Sequence, residues 1–202
     1  MNIVELVIDE NDSQIGIEAI SVVENPAIEE DFVALNNNNN LITLAESNKE
    51  KRLLVGALLI PNKPIYRNGK EEDYYIYFSK DTIVKASQMY LKNGNQGNAT
   101  LEHQHKVNGL TLVESWIVED DVKDKSRIFG MNVPIGTWMG SVKVNNDEIW
   151  NDYVKTGKVK GFSIEGYFAD KVIKKDSKEE SKEEVEANAL LSKVISILKD
   201  EK

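Results

Sequence analysis

The sequence predicts an α+β fold: a mostly antiparallel, β-barrel-like domain flanked by a few helices. Short apolar or aromatic runs bounded by glycine, proline or asparagine recur through the middle of the chain. Strands rarely alternate with helices there, which argues against a doubly wound sheet. We therefore divide the chain into an N-terminal extension with a linker (1–50), the domain (51–173), and a charged linker with an amphipathic helix (174–202).

The N-terminal zone combines one strand-like run with low-complexity sequence. Ile3 to Ile8 is apolar, and the segment GIEAISVVENPAIEEDFVAL leads into five consecutive asparagines, Asn36 to Asn40. Such a run cannot pack a core and is typical of a flexible linker. Pro26 and the acidic residues after it indicate an extended, exposed segment. We interpret the zone as an extension outside the domain.

The first half of the domain carries clear local signals. Leu53 to Pro61 is a buried-strand pattern stopped by proline, and Tyr74 to Phe78 is an aromatic strand. Ser79 is a typical N-cap for a helix that ends at Asn93-Gly94. These signals predict two strands followed by one helix.

The second half of the domain is predicted to be mainly strands. Four strands are expected in ATLEHQH, LTLVESWIVED, Arg127 to Val133 and Gly136 to Val144. Asn146 is expected to cap a short helix that ends before Gly157. A last strand, VKGFSIEGYFADKVI, is interrupted by two glycines.

The C-terminal tail begins with the charge-dense stretch KKDSKEESKEEVE and then becomes amphipathic. Ala187, Leu191, Val194 and Leu198 fall on one helical face. A helix of about 15 residues is marginal alone in water. It needs a second copy of the chain, another protein, or the domain itself to cover its apolar face, and the sequence leaves these open.

The composition excludes several classes of protein. The chain has no cysteine, so disulfides, thiolate metal sites and cysteine nucleophiles are absent. Its net charge of −9 argues against a nucleic-acid partner. The N-terminus lacks the pattern of a signal peptide, and no apolar run approaches the roughly 18 residues of a membrane span. The expectation is a soluble, cytosolic protein without a membrane or nucleic-acid partner.

Two histidines, His103 and His105, are the only imidazole groups of the chain. Histidine is the side chain best suited to move protons near neutral pH. On a strand the two would face the same way and could hold a metal ion, which predicts a metal-dependent hydrolase as one alternative. No carboxylate lies at a recognisable ligand spacing, so we expect no metal and no cofactor. An exposed polar pair at a strand end remains the plainer interpretation.

Ser163 lies in GKVKGFSIEGYF, between Gly161 and Gly166. Glycine next to a nucleophile permits close approach of a substrate backbone and can direct amides at an oxyanion. The spacing differs from the G-x-S-x-G elbow, because the second glycine comes one residue too late. A core strand with one small polar residue would look the same.

A serine hydroxyl needs a base, and the base needs an orienting group. His103 is a candidate base, and the nearest acidic candidates for the orienting group are Glu114 and Asp170. Glu114 is flanked by apolar residues, so it is costly if it points inward without a partner. Strand alternation is equally compatible with a position in solvent, and the same two orientations are open for Asp170 and Glu165.

The succession TLEHQ, VESWIVEDD with KDKS, GTWMGSVKVNNDEIW and VKTGKVKGFSIEGYF resembles the XkdF-like group of phage serine proteases. The resemblance covers about residues 51–170 and is strongest over TLEH and KGFSIEGYF. This group belongs with the prohead proteases, whose fold resembles the herpesvirus assemblins. The segment GIEAISVVENPAIEEDF is also similar to the N-terminal part of related phage proteins.

The resemblance implies a capsid maturation (prohead) serine endopeptidase with His103 as base and Ser163 as nucleophile, both on strands of a closed barrel. Glu114 is then the first choice for the third member and Asp170 the alternative. The implied partners are the major capsid protein precursor and the scaffold, inside the assembling prohead in the host bacterial cytoplasm, and a homodimer stays open. The main alternative is a catalytically idle scaffolding or capsid-assembly protein of the same fold.

Overall fold

A computed structural model describes residues 2–8, 15–35, 51–69 and 72–170. Its strands, in chain order, are β1 (Asn2–Val7), β2 (Gly16–Val23), β3 (Val33–Leu35), β4 (Leu53–Leu59), β5 (Ile65–Arg67), β6 (Tyr74–Phe78), β7 (Ala99–Leu101), β8 (His105–Val107), β9 (Leu110–Ile117), β10 (Trp138–Val144), β11 (Gly161–Tyr167) and β12 (Ala169–Asp170). The helices are α1 (Lys80–Lys92) and α2 (Lys125–Ile128), with a 3₁₀ turn (Asn95–Gly97) and a π-helical turn (Ile149–Val154).

The described strands form three four-stranded sheets. Their orders are β12-β1-β6-β5, β3-β4-β10-β9 and β11-β2-β7-β8. Strand pairs are antiparallel except for β1 with β6 and β2 with β7. The predicted mostly antiparallel α+β character is therefore confirmed. The predicted barrel is not, because each sheet of the described chain ends in two edge strands and does not close on itself.

The N-terminal segment is woven into these sheets and is not set apart from them. Strand β1 lies between β12 and β6, and β2 lies between β11 and β7. Strand β2 is buried on both faces, as for Ile20 and Ser21, which explains why an apolar run there has little alternation. Residues 2–8 and 15–35 thus belong to the same compact unit as residues 51–170. The predicted asparagine linker and C-terminal helix lie outside the described residues.

The core sits between the sheets and fixes the orientation of β11. Phe162 is fully buried, and its ring packs against β4, where a Cβ at Gly56 would lie 3.1 Å from that ring. The ring centroid of Phe162 is 5.2 Å from that of Phe32. Because side chains alternate along a strand, this anchor turns Ser163 toward the opposite face of β11.

Several predicted elements are confirmed at residue level. Strands β4 and β6 have the predicted positions, and α1 begins after Ser79, whose Oγ accepts a hydrogen bond from the Thr82 amide at 3.4 Å. Asn146 also caps as predicted, because its Oδ1 accepts from the Ile149 amide at 3.0 Å. Local signals were sufficient at these places.

The strand predicted at 127–133 is wrong. Asp124 caps the short helix α2 by accepting from the Ser126 amide at 2.8 Å. The Arg127 guanidinium then donates to the carbonyls of Met131 and Val133, at 2.7 and 2.9 Å. These bonds satisfy the backbone of a loop internally, so the segment has no need of a strand partner.

Candidate active site

Three hydroxyl side chains lie in one row across the sheet β11-β2-β7-β8. Ser163 of β11 is opposite Ser21 of β2, and Ser21 is in register with Thr100 of β7. Directly opposed residues share a face and have Cα atoms about 5 Å apart. Ser163 is 9% exposed, and its hydroxyl has no hydrogen-bond partner among the described residues. That hydroxyl is free to engage a base or a substrate.

His103 lies in a tight turn, which corrects the prediction of a strand through ATLEHQH. Glu102 and His103 have positive φ angles of 52° and 56°, and the Gln104 amide donates to the Leu101 carbonyl at 3.1 Å. This is the pattern of a type I′ turn, here between β7 and β8. His103 and His105 are therefore not neighbours on one strand face.

Strand β2 holds this turn in place. The amide of His103 donates to Ser21 Oγ at 3.1 Å, and the Ser21 hydroxyl donates to the Thr100 carbonyl at 3.4 Å. The Glu24 amide donates to Glu102 Oε1 at 2.7 Å. Because non-glycine residues avoid this conformation, the contacts over-determine a backbone that is otherwise strained.

Glu165 is the carboxylate that meets the imidazole. His103 Nδ1 is 3.1 Å from Glu165 Oε1, and Thr100 Oγ1 donates to the same oxygen. Glu165 follows Ser163 by two residues on β11, so both side chains project from one face. With the carboxylate ionised, Nδ1 carries the proton and Nε2 is left as an acceptor.

This arrangement provides the parts of a serine nucleophile system. The Glu165 carboxylate fixes the tautomer of the His103 imidazole. The turn that carries His103 is hydrogen-bonded to Ser21, which is paired with Ser163 on the adjacent strand. In serine hydrolases a ring nitrogen left free in this way is the base for the nucleophilic hydroxyl. In proteins without bound substrate the base–nucleophile hydrogen bond is often long and shortens on binding.

The other predicted carboxylates lie elsewhere. Glu114 is on β9, in a different sheet, where it accepts from the Ser141 hydroxyl and lies 2.6 Å from Lys125 Nζ. The Lys125 ammonium, with Ser141, holds the pKa of Glu114 below its usual value. Asp170 is on β12, where it is paired with Leu6. The contacts of the structure thus bring Glu165, and neither Glu114 nor Asp170, to His103.

Two further features bear on the chemistry. The described part of the chain contains no group of three or more metal-ligating side chains of the His, Cys, Asp and Glu types. Within those same ranges, no helix has both the length and the apolar character to cross a membrane.

Sequence reasoning missed Ser21 and Thr100, and left Glu165 undecided. No local signal marks Ser21, since its partners are distant in the chain. For Glu165 a usable signal existed, because in a strand the second residue after a nucleophile shares its face.

A family model described as "Putative phage serine protease XkdF" matches residues 40–173, more than half of the chain. No curated protein and no solved structure matches. The relation to the herpesvirus assemblins stays a prediction.

Proposed function

The chain belongs to the XkdF family of phage serine proteases, and from this premise we propose that it is a prohead endopeptidase acting through Ser163, His103 and Glu165. The observation that carries the proposal is the contact between His103 Nδ1 and Glu165 Oε1, on the face of β11 that also presents Ser163. A carboxylate, an imidazole and a free hydroxyl in this order match the division of roles in serine hydrolases.

In the proposed mechanism, His103 Nε2 takes the proton of the Ser163 hydroxyl as its oxygen attacks the scissile carbonyl. The proton then passes to the leaving amine, and water hydrolyses the acyl-enzyme with His103 again as base. Glu165 stabilises the imidazolium that forms at each step, and the Thr100 hydroxyl helps to hold that carboxylate. The contacts of Glu165 with His103 and with Thr100 support the roles given to these three groups.

The proposed substrates are the major capsid protein precursor and the scaffold, within the assembling prohead in the host bacterial cytoplasm. The protease's own linker and tail are further candidates, since the asparagine run and KKDSKEESKEEVE are polar sequences without apolar anchors. Residues 174–202 would carry the enzyme into the assembling capsid shell. Deleting 174–202 should then lower the amount of enzyme incorporated into particles, measured by quantitative mass spectrometry.

The test is intact-mass analysis after co-expression with the capsid precursor of the same phage, in assembled shells. We expect discrete truncations with the wild type that disappear in both Ser163→Ala and His103→Ala. Shells that assemble with intact precursor in all three cases would favour the idle scaffolding protein. Truncations that persist in both variants would show that another group or another enzyme cuts.

A further inference from the structure

A cavity of about 320 Å³ adjoins the strand that carries Ser163. Strand β11 is an edge strand, and beyond the bridge between Asp31 and Gly161 its outer edge has no strand partner among the described residues. The cavity borders β11 at both Ser163 and Ile164, which lie on opposite faces of the strand. A chain lying on the edge would therefore pass the cavity and the hydroxyl together.

The lining of the cavity is mainly apolar. Its walls include Leu58, Ile76, Phe78, Ile164 and Phe168. A cavity of about 150 Å³ lined by such side chains accepts benzene, so this one has room for a leucine or phenylalanine side chain. The space is too large to be explained by one bridging water.

The two charged residues of the lining have opposite signs. Arg67 and Asp170 both border the cavity. A basic substrate side chain would be repelled by the first and an acidic one by the second, so neither sign of charge is favoured. The cavity therefore selects for size and apolar character.

Resting on the proposed function, we propose that this cavity is a primary specificity pocket, which receives a large uncharged apolar side chain next to the scissile bond. The substrate backbone lies in extended form on the free edge of β11. Main-chain hydrogen bonds to such an edge give affinity, and the pocket for one side chain gives specificity. The substrate class is thus an extended peptide with leucine, methionine or phenylalanine at this position.

The experiment uses serine-reactive phosphonates on the full chain, with the modified residue mapped by mass spectrometry. A small alkyl fluorophosphonate reports whether Ser163 is reactive at all. Peptidyl diphenyl phosphonates that differ only in a glycine, leucine, phenylalanine, lysine or aspartate side chain report on the pocket. We expect the leucine and phenylalanine probes to react at least roughly 10-fold faster than the glycine probe, because even one methylene group in a hydrophobic pocket changes the rate by roughly 10–200-fold.

A filled pocket provides the matched comparison. Ala27 lines the cavity, whereas Val113 is 52% exposed on β9 in another sheet. Ala27→Phe should reduce the leucine-to-glycine rate ratio at least tenfold, and Val113→Phe should leave the ratio as in the wild type. Ile164→Ala enlarges the same cavity and should shift preference toward the phenylalanine probe, which keeps the test valid if Ala27→Phe fails to fold.

The outcomes separate the pocket from the proposed function. Labelling of Ser163 by the small fluorophosphonate with equal rates for all peptidyl probes would overturn the pocket and leave the protease intact. Faster reaction of the lysine or aspartate probe would overturn the apolar class. A Ser163 that no phosphonate modifies would overturn both proposals.

Discussion

Two carboxylates of this protein have closely similar surroundings and different chemical prospects. Glu165 is held by the Thr100 hydroxyl and by His103, whereas Glu114 is held by the Ser141 hydroxyl and by Lys125. Each carboxylate therefore contacts one hydroxyl and one nitrogen-containing basic side chain. The difference lies in that basic side chain and in what surrounds it.

An imidazole can take and release a proton near neutral pH, while an ammonium paired with a carboxylate stays charged. Lys125 also lies over the Trp116 ring, 4.9 Å from its centroid, which ties it to the surface of β9. The Ser141 hydroxyl is fully buried and already donates to Glu114, whereas the hydroxyl of Ser163 is free among the described residues. The chemical role of each carboxylate therefore depends on its partner, which is an imidazole for Glu165 and an ammonium for Glu114.

The largest expected effect comes from replacing Ser163 and Ser141 by alanine, each in a separate variant. Ser163→Ala should lower cleavage by roughly 10³- to 10⁶-fold, because it removes the nucleophile. Ser141→Ala should leave cleavage near the wild-type rate and cost about 1 kcal/mol of unfolding free energy, since it removes a buried hydroxyl that donates a hydrogen bond. Cleavage assays and urea denaturation check the pair, and loss of activity in Ser141→Ala at full stability would contradict the comparison.

The two carboxylates allow the same matched test. Glu165→Gln keeps the shape but removes the charge that fixes the His103 tautomer, so kcat should fall roughly 10²- to 10⁴-fold. Glu114→Gln should change kcat less than twofold. If the larger loss follows Glu114→Gln, the third catalytic member is Glu114, as the sequence suggested, and our placement of Glu165 is wrong.

These two sites also show what the sequence could and could not predict. The helix α1 was predictable because its cap at Ser79 and its end at Asn93-Gly94 are local signals. The role of Ser21 was not predictable, because it depends on the pairing of β2 with a strand far along the chain. That strand carries Thr100, which is 79 residues from Ser21.

The turn at Glu102 and His103 could not be predicted from the sequence either, because type I′ turns usually carry asparagine and glycine and this one carries neither. The backbone strain at these two residues is itself informative about function. Backbone strain in a non-glycine residue is frequent at functional sites, where the side chain matters more than local stability.

The turn conformation makes a signed prediction about stability. At a positive φ, glycine is favoured over alanine, so His103→Gly should be more stable than His103→Ala by about 1 kcal/mol. In a strand the order would be the reverse, with glycine less stable by about 0.5–1 kcal/mol. Thermal and urea denaturation of the two variants decide between turn and strand, and neither variant should cleave substrate.

The smallest effect concerns acid stability at Glu114. Because Lys125 and Ser141 lower its pKa in the folded state, Glu114 contributes stability that is fully present above its ordinary value of 4.5 and is lost as the pH falls through the lower folded value. The side chain is 47% exposed, so the contribution should be roughly 0.2–1 kcal/mol. Glu114→Gln should therefore lower the unfolding free energy near pH 7 and approach the wild type at more acidic pH.

Urea denaturation of both proteins from pH 7 down to pH 3 measures this convergence. A constant gap between wild type and Glu114→Gln over that range would mean that the charge of Glu114 contributes nothing to stability. The Lys125 contact would then be incidental, and only the hydrogen bond from Ser141 would distinguish this site from a solvated surface carboxylate.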